Sequence, residues 1–453
     1  MYIGGLLPVD IVLSNAKMLI EGNLIEAGIA IENGKIVKIA KDSNLPIGSI
    51  KINLKDKIIL PGLIDCHVHL RDQQLAYKEN FFSGTSAAAV GGVTSVMDMP
   101  NNKPVTLDVQ SIKERIGLAK KNIVVNTAFY SAFPKKIEEI PKIVEVGAIG
   151  FKVYLSNQIG GIDVDDDELL LRFFTKAAKE GVPVAVHAED RKTIEEVQLK
   201  MQNSGRDSID SYVKVHSPEA EVKSIDRIIP MIKKSGVHVH FCHISSAKGL
   251  SSIINAKKMG LTVSCEVTPH NLLISNEKFS QFGFLALTDP PLRGSDDVNA
   301  LWNALKFGSI DLVASDHAPH SLEEKKVNSV WKAKPGIPGL ETILSLLLTQ
   351  VNYGRLSLSD LIKYSSENPA KIFHLKKRGC LKEGNWADLV IVDMKRNIVI
   401  DSSNFLSKAK YSPFDRIQVK GRPIKTFVNG KLVMDEGEII AKSGTGKIVT
   451  NFD

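Results

Sequence analysis

Hydrophobic and polar positions change rhythm twice along the chain. At both ends apolar residues alternate with polar ones. IEAGIAIENGKIVKIA sets Asn33-Gly34 between two alternating runs, and KTFVNGKLVMDEGEII does the same with Asn429-Gly430. Alternation marks half-buried strands, and an Asn-Gly pair between two of them marks a tight hairpin, because both turn residues accept positive φ. ADLVIVDM (387–394) reads as a further strand. Between the ends, short apolar runs take over: LPGLIDCHVHL, VTSVMDM, NIVVNTAFYSA, GAIGFKVYL, VPVAVHA, VHVHFCH, LTVSCEV and DLVASD. Intervening stretches such as DDELLLRFFTKAAKEG (166–181) and EAEVKSIDRIIPMIKKSG (219–236) carry apolar residues at helical spacing and end at Gly.

Eight strand–helix alternations over about 300 residues predict an α/β fold, a (β/α)8 TIM-type barrel, with a small β-sandwich domain formed from both chain termini. A doubly wound open sheet is the competing arrangement, but no GxGxxG opens a first βα turn. The expected division is 1–59 for the N-terminal part of the β domain, 60–378 for the barrel with its metal site, and 379–453 for the C-terminal part of the β domain. DHAPHSLEEKKVNSVWKAKPGIPG (316–339) is the least regular stretch and is long enough for a functional loop after the last strand.

Polar residues inside these strands change the picture. Lys152 stands in the middle of GAIGFKVYLS, where a buried ammonium is costly unless paired or neutralised. It either snorkels outward from a strand end or has a task. His67 and His69 close the first barrel strand, two apart and hence on one face. His187 ends the fifth strand, His243 the sixth and Asp316 the eighth. Ligand-type residues thus end five of the eight strands at their carboxyl ends, where barrels build their sites. Six such ligands exceed what one tetrahedral zinc takes and suit two metals with a hydroxide held between them. Beside two cations Lys152 cannot stay an ammonium. Condensation with CO2 would make it a carbamate (N6-carboxylysine) whose two oxygens bridge the pair, and the apolar strand would keep the amine neutral enough to react.

Composition narrows the classes. Of 453 residues 43% are hydrophobic and 24% charged, which fits a soluble globular protein, and a net charge of +7 spread among acids argues against a nucleic-acid face. Cys66, Cys242, Cys265 and Cys380 are far apart with no CxxC pair, as in reduced cytoplasmic proteins. MYIGGLLPVDIVLSNAK lacks a secretory pattern and no apolar run nears the ~18 residues of a membrane span, so a cytoplasmic, membrane-free protein is expected.

HVHLRD, GFKVYL, VHAED, the His243 strand and SDHAPH resemble the amidohydrolase superfamily. Within it the resemblance is to the cyclic-amidohydrolase branch of dihydroorotases, allantoinases and hydantoinases. It covers nearly the whole chain, through GTSAAAVGGVTSVMDMPNNKP, CEVTPHNLL, DPPLR, GIPGLET, NPAKIF, ADLVIVD and SPF, and points to the dihydroorotase group. It implies two zinc ions, one on His67, His69, Lys152 and Asp316 and the other on Lys152, His187 and His243. Asp316 would be general base and acid. Arg71, Asn101 and His320 would hold a substrate carboxylate, with His69, Pro335 and Gly336 also touching substrate. An arginine fork suits a carboxylate, and the HxHxR pattern with Asn101 in the DMPN turn is what separates the dihydroorotase group from allantoinases. The implied reaction is reversible hydrolysis of L-dihydroorotate to N-carbamoyl-L-aspartate, the ring closure of pyrimidine synthesis in reverse. The alternatives are a hydantoinase or allantoinase with the same centre, or a non-catalytic relative, which would be expected to have lost ligands. A homo-oligomer is left open.

Asp289 replaces an Asn that relatives place against substrate, an unexpected anion beside an anionic ligand. Arg71 has a plainer reading as a surface ion pair with Asp72 or Glu79. By parity His238 and His240 should lie on the face opposite His243, against helices. His317 reads as a supporting or loop histidine, His270 as structural or functional alike, and His216 and His374 as surface or packing residues. Cys66 and Cys242 flank ligands with no sign of a metal role.

Overall fold

The computed structural model describes residues 8–451. Met1–Leu7, on which the reading of the N-terminal stretch partly rests, lie outside the described residues. The eight barrel strands are Leu63–Val68, Val93–Asp98, Asn126–Ala132, Ala148–Tyr154, Val184–His187, Val239–Phe241, Val263–Val267 and Leu312–Val313. They form one sheet in sequential order, every pair parallel. The first and last strands meet through a parallel bridge between Val68 and His317, with His69 N–H donating to the His317 carbonyl at 2.8 Å. Alternation sorts the side chains. Cys66, Met97, Ala128, Tyr130, Ala185 and Cys242 point inward into one cluster, while Val96, Phe129, Phe151 and Val186 pack outward against the helices. Lys152, next to Phe151, is on the inward face and fully buried, so it does not snorkel.

Both helices anticipated above are present. Asp167–Lys179 begins at Asp166, whose carboxylate accepts from the Leu169 N–H, and Pro218–Ser235 begins at Ser217 and stops at Gly236 in the left-handed region (φ 70°). These are standard caps for the unpaired backbone groups at helix ends. Fully burying a phenylalanine is worth ~1.5–3 kcal/mol, and Phe133, Phe151 and Phe173 do so together between strand and helix, with ring centroids 5.0 and 5.2 Å apart.

The two ends of the chain meet in the β-sandwich domain, a nine-stranded sheet in which eight strands follow one hydrogen-bonded path and Asn23–Glu26 pairs with Val9–Ile20 beside it. Gly48–Pro61 is the seam: it runs parallel to Val9–Ile20 and antiparallel to Leu389–Val399. Both Asn-Gly hairpins form, with φ 51° and 76° at Asn33-Gly34 and 48° and 76° at Asn429-Gly430. The C-terminal segment then leaves the sheet. Thr127 N–H donates to Lys447 and Val449 N–H to Thr127, and Val449 is buried with the inward-facing barrel residues. Among the described residues no helix is long and apolar enough to cross a membrane. The four cysteines are free thiols.

Candidate metal centre

Parallel strands aim their last inward residues at the mouth of the barrel, and the sequence has placed its polar residues there. His67 and His69 direct Nε2 at the same Asp316 oxygen, each at 3.3 Å. The other nitrogen of each ring is held: His67 Nδ1 by a short contact to Glu266, His69 Nδ1 by Asn101 Oδ1 at 2.6 Å. Across the barrel, His187 Nδ1 and His243 Nε2 stand 3.1 Å apart, and His187 Nε2 lies 2.9 Å from Glu189. Ligand atoms of His67, His243 and Asp316 lie within 4.8 Å of one another. Burial presses the His69 imidazole down to about 3 and His243 well below its ordinary range, so both are neutral, as metal ligands must be. Burial works the same way on His67, but the Glu266 carboxylate outweighs it and lifts the ring to about 10, so a metal at Nε2 would have to displace that proton while Nδ1–H stays on Glu266. Asp316 is held well below the carboxylate range by the facing histidines, against its own burial. Converging nitrogens and a carboxylate oxygen, with the rings of His67, His69 and His187 each held by a partner on the second nitrogen, fit a bound metal.

Lys152 lies beneath this cluster. Its Nζ is 2.9 Å from Cys242 Sγ and 5.0 Å from the centroid of the Tyr154 ring, and among the described residues it has no carboxylate partner within 4 Å.

Above the cluster is a cavity of about 370 Å³. Every site residue selected from the sequence lines it except Lys152: His67, His69, Arg71, Asn101, His187, His243, Asp316, His320, Pro335 and Gly336. Arg71 is 6% exposed and is not the surface ion pair that its neighbours in sequence suggested. Asp72 accepts instead from the Gln73 and Phe81 N–H groups, and Glu79 serves Ser83, Ser407 and His317. Arg71 donates to the Pro319 carbonyl at 3.3 Å and lies 3.4 Å from His320 Nε2. Arg71, Asp72 and Gln73 have φ of 55°, 57° and 48°, a strained run fixed by Asp98, which accepts from Leu70 N–H at 2.8 Å.

The pattern of the Amidohydrolase family matches residues 58–433. The chain belongs to this family. A dihydroorotase of Methanothermobacter thermautotrophicus is 36% identical over 92% of this chain and 93% of its own length. One from Pyrococcus furiosus is 37% identical over 97% and 96%. Among solved structures, an L-hydantoinase (dihydropyrimidinase) from Arthrobacter aurescens superposes with a TM-score of 0.93 at 33% identity, covering 98% of this chain and 100% of that one.

Several functional neighbours of this amidohydrolase centre are not apparent from the sequence motifs. Glu266 is the hub below His67. It is fully buried, and it also accepts from His240 Nε2 at 3.0 Å, Cys66 Sγ at 3.3 Å and the His243 N–H at 3.1 Å. An acid inside VSCEV is the same anomaly as a lysine inside GFKVY, and that signal was there to be read. His240 was expected to face the helices with His238. Instead it lies inside the barrel against Phe373 and Glu266, because the strand ends at Phe241 and His243 lies beyond it with φ 35°, where parity no longer counts. Cys66, with His240 and Glu266, and Cys242, with His67 and Glu266, each belong to a buried group of ligand atoms within 4.8 Å, closer to metal-binding geometry than their flanking positions implied.

His216, expected at the surface or in packing, is buried with Nδ1 3.0 Å from Asp289 and 3.2 Å from Glu189. Burial favours the neutral ring, but the two carboxylates outweigh it and lift His216 to about 10. This explains how Asp289 stands in the cavity wall: an imidazolium offsets its charge. His317 is buried against Glu79, and His270 is buried and pressed down to about 4. His374 is exposed, as expected.

Proposed function

We propose that the protein is a dihydroorotase, catalysing reversible hydrolysis of L-dihydroorotate to N-carbamoyl-L-aspartate. The observation that carries this reading is the buried Arg71 guanidinium on the cavity wall beside His320, with no carboxylate among the described residues to pair with. A ring bearing a free carboxylate supplies the missing anion. Lys78, 3.1 Å from His320 Nδ1, adds a second cation, of which Glu324 at 2.7 Å neutralises one charge. The corner keeps one surplus positive charge. The similarity to dihydroorotases supports the same substrate, and the overlay with an L-hydantoinase supports the same ring-amide chemistry.

His67, His69, Asp316, His187 and His243 would hold two zinc ions together with Lys152, carboxylated on Nζ. Imidazole, carboxylate and carbamate donors suit zinc. The metals would lower the pKa of a water and polarise the scissile carbonyl. The chain does the rest. Arg71 and His320 hold the carboxylate so that one ring carbonyl faces Asp316. Asn101 spends its oxygen on His69, leaving its amide N–H groups as donors. Asp316 takes the proton of the attacking water as the new C–O bond forms, and delivers it to the ring nitrogen as the C–N bond breaks. Gly336 is already occupied: its N–H donates to Leu287, and its carbonyl accepts from Lys325 and Tyr411. Of that pair the Pro335 carbonyl is the group assigned to the ring. Residues 60–378 are assigned to the catalytic unit, with 1–59 and 379–453 as its β domain.

Turnover of L-dihydroorotate, hydantoin and allantoin by zinc-supplied protein tests the reading. Preference for dihydroorotate is expected. Turnover of hydantoin or allantoin alone would keep the metal centre and overturn the assignment of Arg71.

A further inference from the structure

The loop after the last strand contains a one-turn helix, Leu322–Lys325, whose last two residues face different parts of the site. Glu324 serves Lys78 and His320 in the carboxylate corner. Lys325 turns the other way and is 1% exposed. Its Nζ donates to three backbone carbonyls: Leu287 at 3.1 Å, Lys334 at 3.0 Å and Gly336 at 3.0 Å. An ammonium has three N–H donors, so each has its acceptor. Among the described residues no carboxylate lies within 4 Å of Nζ; the Tyr411 ring centroid lies 5.6 Å away, and the Tyr411 hydroxyl also donates to the Gly336 carbonyl, at 3.0 Å.

The three carbonyls belong to two turns far apart in sequence. One leads from Leu287 to Asp289 and the other is Lys334–Gly336, and Asp289, Lys334, Pro335 and Gly336 all line the cavity. Gly336 N–H closes the same junction by donating to Leu287 at 2.8 Å. The fit leaves no slack: Gly336 has φ 135°, and a Cβ there would come within 2.4 Å of the Ala318 carbonyl oxygen. Burial pulls the Lys325 ammonium down to about 7, yet a buried amine bonded to carbonyls of two turns of one wall does more than fill space, since a methionine would pack there without any need for acceptors.

We propose that Lys325 is a positioning residue that, with Tyr411, sets the cavity wall against which the substrate ring lies. The proposal rests on the reading of the protein as a cyclic-amide hydrolase. It does not depend on which ring is the substrate.

The test is steady-state kinetics of Lys325→Met and Tyr411→Phe, with rates expressed per metal-loaded site. A wall that binds ground state and transition state alike raises KM and leaves kcat nearly unchanged. The expected result is a rise in KM for L-dihydroorotate of about tenfold in Lys325→Met and about two- to threefold in Tyr411→Phe, with kcat within about threefold of wild type. An unchanged KM in both variants, whatever the loss of yield or thermal stability, overturns the proposal and leaves Lys325 a packing residue. A fall in kcat at unchanged KM overturns it as well. If Lys325→Met does not fold, Tyr411→Phe decides alone by the same criterion. Wild type is assayed first. If it hydrolyses a different cyclic amide, the dihydroorotase reading fails by itself and the variants are judged with that amide; if it hydrolyses none, both readings fall.

Discussion

The floor and the corner of the cavity are built on opposite plans. On the floor three histidines have their second nitrogen held: His67 by Glu266, His69 by Asn101 and His187 by Glu189. In the corner the central cation has no counter-ion of its own, and Arg71 rests on a carbonyl and on the edge of His320. Burial with Arg71 and Lys78 nearby presses His320 down to about 3, so the ring is neutral and adds no charge of its own to the corner. A saturated floor fixes geometry, as a metal site needs. An unsaturated corner stores electrostatic attraction for a ligand, since a buried cation without an anion costs on the order of 3–5 kcal/mol. On the proposed reading, the floor carries the hydrolytic chemistry and the corner the choice of substrate.

Breaking the floor should have the largest effects. Lys152→Ala is expected to lower turnover by at least about a thousandfold and to reduce bound zinc, with short carboxylates restoring part of both, as metal analysis beside the assay would show. Asp316→Asn should cost about 10²–10⁴ in kcat through loss of the proton carrier. Retention of near-wild-type rate would remove Asp316 from that role. Glu266→Gln keeps the shape but weakens the hold on His67, and zinc affinity should fall about 10–100-fold, read by competition with a chelator. Removing the metals from wild type should lower Tm by several degrees, reversed by added zinc, because a ligand bound only to the folded state stabilises it. The smallest effect belongs to the wall: His216→Gln leaves Asp289 uncompensated, and KM should rise a few-fold with little change in kcat.

The floor was legible because its residues interrupt apolar strands at their carboxyl ends. Lys152 in GFKVY and His187 in VAVHA stand out from their neighbours by polarity alone. The hairpins were legible for a similar reason, since Asn-Gly has few other uses between two alternating runs. What was not legible depends on contacts between distant segments. His216 looks like a surface histidine until Asp289 and Glu189 arrive beside it. His240 departs from the expected parity because the strand ends at Phe241, two residues before His243. Lys325 reads as one more charge in a polar loop until the carbonyls of Leu287, Lys334 and Gly336 close around it.

The most direct test of the contrast is Arg71→Met, assayed by kcat/KM with L-dihydroorotate and with dihydrouracil, the same ring without its carboxylate. A charge-assisted pair is worth ~1.5–3 kcal/mol, so dihydroorotate should lose about 10–150-fold while turnover of the uncharged ring is unchanged. An equal loss with both rings would make Arg71 a structural residue and contradict the account.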